Sequence, residues 1–280
     1  MIRFADKSMI PSLKVIWQEA FGDDDAYISF FYENRFTESN TLVWLEAQKP
    51  VAMLTLLPAK IVVEGRQHPV KYIYGVATKA EYRGRGISTA LVNYANEQAD
   101  RNNEWLVLVP ASESLFDFYR KCGYRTAFYL KELTINRAQI ERAPKPEYRC
   151  SDIIAEEYKV LRDTCFAKSG YILWDVDAID YVLRENRLVG GTATKITLGG
   201  DSHLLLYRKK DNILLVKETS LNYENLIPVL ASIALQEECH TIRVRLPQGF
   251  KADTPAQEFG MLYAKSPVDL TDAYLNLVLD

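Results

Sequence analysis

The feature that most constrains the fold is a junction between an apolar run and a basic turn that contains glycine. Residues 72–78 are rich in β-branched and aromatic side chains and have the length of a strand. Residues 83–86 alternate arginine with glycine. Residues 87–95 then place their apolar side chains at helical spacing. The sequence therefore predicts a strand, a tight basic turn and the N-terminus of a helix.

This junction suits a bound phosphate. Free N–H groups at the start of a helix carry partial positive charge and donate to anions. Gly84 and Gly86 have no Cβ that would keep a bulky anion from the backbone. Arg83 and Arg85 add full charges and forked donors. We expect a diphosphate here, and the alternative is a surface turn with two solvated arginines.

The residues of the turn exclude two common phosphate loops. The Walker pattern needs a Gly-Lys-Ser/Thr ending and the dinucleotide fingerprint needs Gly-x-Gly-x-x-Gly, and neither occurs here. Arg83, Gly86 and Ser88 instead form Arg-x-x-Gly-x-Ser. This pattern resembles the acetyl-CoA signature of the GNAT N-acetyltransferase superfamily, usually Gln/Arg-x-x-Gly-x-Gly/Ala, with the compact Ser88 at the last small position.

A second motif follows at the expected distance. Residues 105–110 read as a buried strand, and residues 111–124 read as a helix with the turn that ends it. Tyr119, Lys121, Gly123 and Tyr124 resemble the Tyr-x-Lys/Arg-x-Gly-Phe ending of this helix in GNAT proteins. An Asn that often precedes the Tyr by seven positions is Ser112 here. Two motifs in this order make the resemblance specific.

The order of predicted elements agrees with an α/β fold class built on a mixed α+β sheet. Strand, two helices, three strands, phosphate turn, helix, strand, helix and closing hairpin is the GNAT order, with the hairpin predicted at residues 125–128 and 130–136. In GNAT proteins the first two helices flank the acceptor groove. Phe30 and Phe31 in the second helix therefore either line this groove or belong to the core.

The second half of the chain resembles a degenerate copy of the first. It repeats the hairpin at residues 202–219, the crossover helix at 226–236, the strand at 241–247 and closing strands at 261–263 and 273–279. Where the basic turn belongs, residues 221–225 have no glycine or arginine, and Glu224 would repel a diphosphate. We expect a GNAT domain at 1–141 and a GNAT-like domain without cofactor at 142–280. This tandem resembles enhanced-intracellular-survival-type acetyltransferases without their sterol-carrier-like domain.

Composition and scattered residues narrow the function class. With 280 residues, 48% hydrophobic and 25% charged, the chain has room for two domains of ordinary size. A net charge of −3 argues against a nucleic-acid partner. Four separated cysteines and three isolated histidines favour a reducing compartment without a metal site. The absence of a signal peptide pattern or a membrane-length run favours a cytoplasmic location without a membrane partner.

The resemblance also implies roles for individual residues. The acetyl thioester would lie between the strands that end at Thr78 and Val109, held by the backbone, with the diphosphate on the N–H groups from Arg85 to Ser88. Tyr119 would act as the acid that protonates the departing thiolate, since a phenol holds its proton at neutral pH. The cofactor-binding set implied in this way is Val76, Ala77, Thr78, Arg83, Gly84, Arg85, Gly86, Ile87, Ser88 and Ser112.

The general base stays open at the level of the sequence. Residues 72–76 contain no carboxylate, although many relatives use one there. Glu113 is close in sequence, and the resemblance to survival-type enzymes suggests the α-carboxylate of Asp280. Water that relays the proton to bulk solvent is the third alternative.

The expected activity is transfer of acetyl from acetyl-CoA to a primary amine of a small molecule or peptide, by direct attack in a ternary complex. The rival from another class is a non-catalytic acyl-CoA sensor, whose degenerate half would serve as an interaction surface. Transfer of a longer acyl or an aminoacyl group is a third possibility. The sequence leaves open whether the chain forms a homo-oligomer.

Overall fold

The computed structural model of the chain describes residues 1–168, 170–270 and 272–277. It divides into two compact units. Unit 1 comprises Met1–Ile61, Gln67–Ala127 and Gly260–Asp269, and unit 2 comprises Val62–Arg66, Phe128–Phe259 and Leu270–Asp280.

The elements up to the helix that carries Tyr119 begin with a strand, two helices and three strands. In chain order they are β1 (Ile2–Phe4), α1 (Ile10–Phe21), α2 (Asp25–Arg35), β2 (Thr41–Glu46), β3 (Lys49–Val63), β4 (Arg66–Thr78), α3 (Ile87–Asn102), β5 (Trp105–Leu108) and α4 (Glu113–Lys121). Single 3₁₀ turns lie at Lys7–Met9 and Ala80–Tyr82.

The remaining elements repeat part of this order. They are β6 (Arg125–Asn136), α5 (Arg137–Arg142), β7 (Arg149–Asp152), α6 (Ala155–Phe166), β8 (Tyr171–Leu173), α7 (Val176–Leu188), β9 (Gly191–Leu198), β10 (Asp201–Lys210), β11 (Ile213–Thr219), α8 (Tyr223–Gln236), β12 (Thr241–Pro247) and β13 (Gln257–Tyr263). None of the helices in the described ranges is both long and apolar enough to cross a bilayer.

Unit 1 is a mixed sheet with strand order β1-β2-β3-β4-β5-β13. Strands β4 and β5 are parallel and joined by α3, while β13 pairs with β5 antiparallel through Met261–Tyr263. Helices α3 and α4 share one hydrophobic cluster with the sheet, in which Leu91 and Phe116 are buried together with Leu106. The α3 stripe predicted from apolar spacing is therefore the face that packs on the sheet.

Unit 2 repeats the strand–helix–strand plan, with strand order β6-β12-β11-β10-β9-β7. Strands β11 and β12 are parallel, with Ile213–Val216 opposite Thr241–Val244. Helix α8 connects them and packs in a hydrophobic cluster with both strands. The parallel strand–helix–strand units of the two halves are thus built alike.

The closing strands differ from the sequence-based prediction. Residues 125–136 form one strand, not a hairpin, because they contain no glycine or proline at which the chain could turn. Its residues 130–136 pair antiparallel with β12 in unit 2. Residues 128–141 belong to unit 2 and residues 260–269 to unit 1, and the domain boundary at residue 141 stays a prediction.

The last predicted strand is also not observed as such. Within its described part, Tyr274 forms a single bridge to Tyr171, and residues 275–277 have no regular structure. Residues 278 and 279 lie outside the described residues.

Candidate active site

The two parallel strands of unit 1 stop pairing before β4 ends. Their register runs over Val70–Tyr72 opposite Trp105–Val107, and β4 then continues for six residues to Thr78. Among the described residues, the parallel pairing of β4 with β5 ends at Tyr72 opposite Val107. This leaves a backbone edge in the position where the sequence predicted the acetyl thioester.

A glycine that the sequence reasoning passed over changes the direction of this strand. Gly75 has φ +63°, and Val76 packs on the same cluster as Ile73, three residues earlier. Regular strand alternation would put these two side chains on opposite faces, so Gly75 acts as a bulge. A lone glycine inside a strand pattern is the signal that predicts such a bulge.

The turn after β4 prepares the N-terminus of α3 for a ligand. Gly84 and Gly86 both have φ +75°, a left-handed conformation that glycine adopts without strain. Gly86 is the N-cap residue of α3, and as a glycine it has no side chain that could accept a hydrogen bond from the first amides. A Cβ at either glycine would meet no described atom within 4 Å. The backbone is therefore open to a bulky group beside positively polarised amides.

The two arginines of the turn fold back on its backbone. Arg83 Nε donates to the carbonyl oxygen of Thr78 at 3.0 Å. Arg85 Nη2 donates to the carbonyl oxygen of Glu81 at 2.8 Å, and its guanidinium lies 5.0 Å from the centre of the Tyr82 ring. Both residues thus brace the turn while keeping their charges beside the helix N-terminus.

Ser88 takes part in a side-chain contact at the same place. Its Oγ lies 2.8 Å from Thr78 Oγ1, which joins the end of β4 to the first turn of α3. Thr78 is 8% exposed and Ser88 is half-buried.

Helix α4 carries the predicted acid. Tyr119 is 6% exposed, and its ring contacts those of Phe118 and Tyr124. Within the described residues its hydroxyl has no recorded hydrogen bond. Burial raises the pKa of Tyr119 above its usual value of 10.0, so the phenol is protonated at neutral pH. Burial also raises the pKa of the nearby Cys122 thiol, which makes a nucleophilic thiolate unfavourable.

Comparisons with known proteins agree with this geometry. Residues 1–127 match the family model described as an acetyltransferase (GNAT) domain. A probable N-acyltransferase from Enterococcus faecalis V583 is 15% identical with a TM-score of 0.72, covering 94% of this chain and 72% of that chain. Eis1 from Mycobacterium abscessus is 13% identical with a TM-score of 0.69, covering 94% and 73%.

A tandem GNAT protein from the clavulanic acid biosynthesis pathway is 14% identical with a TM-score of 0.58 and covers 96% of this chain and 100% of that chain. The chain has a tandem GNAT fold. This confirms the fold class predicted from the sequence. The family match ends at Ala127, where the second segment of unit 1 also ends.

Other residues expected in the GNAT site are less well placed. Ser112 precedes α4, is exposed, and its Oγ lies 3.1 Å from Ser114 Oγ. Glu113 is exposed in the first turn of α4. The candidate base Asp280 lies outside the described residues.

One carboxylate at the turn could not be foreseen from the local sequence. Glu19 Oε1, from α1, accepts a hydrogen bond from the backbone N–H of Ala80 at 2.5 Å. The two residues are 61 positions apart, and no local pattern links them. Glu19 therefore ties the first helix of the GNAT fold to the phosphate turn.

The side of β4 that faces the first two helices is aromatic. The rings of Trp17, Phe31 and Tyr74 are in mutual contact, and the Tyr74 hydroxyl lies 3.4 Å from that of Tyr27. Phe31 is fully buried and belongs to the core, whereas Phe30 is half-buried. In the described ranges no group of three or more His, Cys, Asp or Glu side chains is arranged to hold a metal.

Proposed function

We propose that the chain is an N-acetyltransferase that moves the acetyl group of acetyl-CoA to a primary amine of a small molecule or a peptide. The observation that carries this proposal is the open N-terminus of α3, beside two left-handed glycines and two arginines. This turn follows the part of β4 that lies beyond its pairing with β5. The GNAT family match over residues 1–127 supports acyl transfer in general.

The chain's own groups would divide the work of holding the donor. The N–H groups from Arg85 to Ser88 would bind the diphosphate, and the unpaired edge of β4 at Val76, Ala77 and Thr78 would bind the pantetheine arm. Acetyl-CoA supplies an activated thioester. Arg83 and Gly84 shape the turn. Ile87 is buried and would therefore fix the start of the helix on the core.

The reaction we propose is direct attack in a ternary complex. The amine nitrogen forms a bond to the acetyl carbon, and the carbon–sulfur bond breaks. Tyr119 donates its phenolic proton to the departing thiolate. The proton of the amine leaves through water, and Glu113 or the α-carboxylate of Asp280 are the alternative acceptors.

We also propose that the reaction takes place in the cytoplasm on an amine that is neither nucleic acid nor membrane. The small net charge of −3 gives no broad basic surface for a polyanion.

The test is a panel of primary amines incubated with acetyl-CoA and the whole chain, with release of free thiol as the readout. Thiol release with at least one amine, lost in Tyr119→Phe, is the expected result. Thermal stabilisation by acetyl-CoA without release across the panel would favour a sensor. Neither binding nor release would overturn the proposal.

A further inference from the structure

A cavity of unit 1 lies beside the C-terminal half of α3, at the end of this helix that is away from the phosphate turn. Its volume is about 410 Å³, in the range of about 300–1,000 Å³ that is usual for small-molecule sites. Its lining includes Gln98 of α3, Lys71 of β4 and Leu106 of β5. Gln98 lies about 18 Å along the helix axis from Gly86, since each residue of a helix rises by about 1.5 Å. The cavity is therefore separate from the proposed donor site.

The loop between α2 and β2 gives this cavity a fixed wall. Asn40 lines the cavity and is 9% exposed. Its Oδ1 accepts from the backbone N–H of Thr37 and from Thr41 Oγ1, each at 3.0 Å, and its Nδ2 donates to the carbonyl oxygen of Arg35 at 2.7 Å. The backbone N–H of Leu56 in β3 donates to the carbonyl oxygen of Asn40 at 2.7 Å. These bonds hold the wall in place without a ligand, as in other preformed sites.

One positive and one negative side chain meet at the cavity. Lys71 Nζ lies 3.4 Å from Glu104 Oε1, and the two side chains are 30% and 18% exposed. Among the described residues that line the cavity, these two are the only charged ones. An ammonium group has three donors and a carboxylate has about four acceptor positions, so a single long contact leaves most of them to a ligand.

The cavity also offers an apolar surface beside this ion pair. Phe4, Leu56 and Pro58 contribute to its lining, and of these Phe4 is half-buried and Pro58 is exposed. One charge of each sign gives no net attraction for a polyanion or a polycation. The arrangement instead matches a small ligand that carries an ammonium, a carboxylate and an apolar group, because each charge then meets its opposite.

We infer that this cavity is a binding site for a free amino acid with an apolar side chain. The carboxylate of the amino acid pairs with Lys71 Nζ, its ammonium pairs with the Glu104 carboxylate, and its side chain packs on Phe4 and Pro58. Both ionic contacts are charge-assisted hydrogen bonds, which are stronger than neutral ones. This site goes beyond the proposed function, since no step of acetyl transfer uses Lys71 or Glu104.

The test is titration calorimetry of the whole chain with L-leucine in the absence of acetyl-CoA. We expect saturable binding at one site. Two analogues each lack one charge, because 4-methylpentanoate has no ammonium and 3-methylbutylamine has no carboxylate. Each should bind at least about tenfold more weakly than L-leucine. An analogue that binds as tightly as L-leucine would contradict the pairing of the charge it lacks. Absence of binding for L-leucine, L-methionine and L-phenylalanine alike would overturn the site.

Matched variants locate the binding. Lys71→Met and Glu104→Gln should each weaken L-leucine binding by about tenfold or more, because each removes one charged partner. Lys60→Met and Glu97→Gln change exposed residues of β3 and α3 that do not line the cavity, and they should leave the affinity unchanged. Binding that survives in both cavity variants would place the amino acid elsewhere, the acceptor groove included, and would overturn the proposal.

A blocking variant keeps the test valid if removal of a charge prevents folding. Gln98→Trp leaves the ion pair intact and puts a larger side chain at the half-buried rim, so it should abolish L-leucine binding. Unchanged binding in Gln98→Trp would overturn the site. Coenzyme A affinity is the separate readout for the donor site. A chain that binds coenzyme A but no amino acid loses this inference and keeps the proposed function.

Discussion

The starts of α3 and α8 differ although the two helices occupy equivalent places. Each follows a strand and leads to a parallel neighbour. In α3 the N-cap is Gly86, without a side-chain hydrogen bond. In α8 the side chain of Asn222 accepts from the amide of Asn225 at 3.0 Å, and Glu224 lies in the first turn. In α8 the Asn222 side chain therefore accepts from one of the first amides, whereas the N-cap glycine of α3 cannot do so.

The strands before these helices also differ, because the end of β11 is filled by polar side chains of unit 2 itself. The end of β11 holds a buried ion pair between Glu218 and Arg162, both fully buried, with Nε and Oε2 3.1 Å apart. Glu218 also accepts from the hydroxyls of Tyr158 and Tyr274, at 2.8 and 2.9 Å. Residues 248–256, all described, form no helix that could carry a counterpart of Tyr119. The equivalent region is thus a polar core in unit 2, whereas in unit 1 it is the candidate site.

The largest effect should come from breaking the polar core of unit 2. Arg162→Met leaves Glu218 buried without a cation and should lower the free energy of unfolding by about 3–5 kcal/mol, measured by denaturant titration. The double variant Arg162→Met, Glu218→Gln should regain part of this loss, because no buried charge is then unpaired, while the Gln oxygen accepts from one tyrosine hydroxyl and its NH2 group can donate to the other. A double variant as unstable as the single one would contradict a role for the charge.

The second effect concerns the chemistry of unit 1. Tyr119→Phe should lower kcat by about a hundredfold or more and change the KM for acetyl-CoA little, since the acid acts only in the transition state. The matched change in unit 2, Tyr158→Phe, should leave kcat unchanged and lower the free energy of unfolding by about 1–3 kcal/mol. Steady-state kinetics and denaturant titration measure the two. An unchanged kcat in Tyr119→Phe would remove this residue from the mechanism.

The pH dependence sharpens the same comparison. Because burial raises the pKa of Tyr119 in the folded state, its acid form persists to above its usual value of 10.0. The stability that depends on this protonated form is present below that pH and is lost as the pH rises further. We therefore expect no fall in kcat due to Tyr119 between about pH 6 and 9. A limb in this range that disappears in Tyr119→Phe would contradict the assignment.

A smaller effect should distinguish Gly86, in the predicted phosphate turn, from Gly22, a left-handed glycine outside it. Gly86 and Gly22 have φ of +75° and +77°, and at neither would a Cβ meet a described atom within 4 Å. Alanine at either position should lower the free energy of unfolding by about 1 kcal/mol through backbone strain. Only Gly86→Ala should weaken coenzyme A binding, by about tenfold in calorimetry. Equal affinities in the two variants would show that the turn is not a binding element.

The sequence predicts more of the candidate site than of the strand pairing, because the candidate residues lie close together in the chain while paired strands lie far apart. The arginines and glycines of the turn, Ser88 and Tyr119 lie in patterns of a few residues, so local spacing is enough to find them. The partners of β6 and β13 depend on contacts across more than a hundred residues. Residues 125–136 lack a turn signal, and the prediction of a hairpin there overlooked this absence.

The sequence also did not predict the side-chain networks between distant residues. Arg162 and Glu218 are 56 positions apart, and each looks like an ordinary surface residue in its own segment. Their burial depends on the tertiary fold, which no periodicity predicts.

The smallest effect should come from the N-cap of α8, and it tests whether open amides alone make a phosphate site. Asn222→Ala removes the cap of α8 and should lower the free energy of unfolding by about 1 kcal/mol, while Asn222→Gly should cost only a few tenths. Neither variant should add a second coenzyme A site in calorimetry, because Glu224 in the first turn still repels a diphosphate and residues 221–225 contain no arginine. Asn136→Ala, which removes the cap of α5, is the matched control for stability. A second binding event in Asn222→Ala would mean that the amides alone decide, and that the glycines and arginines of unit 1 are secondary.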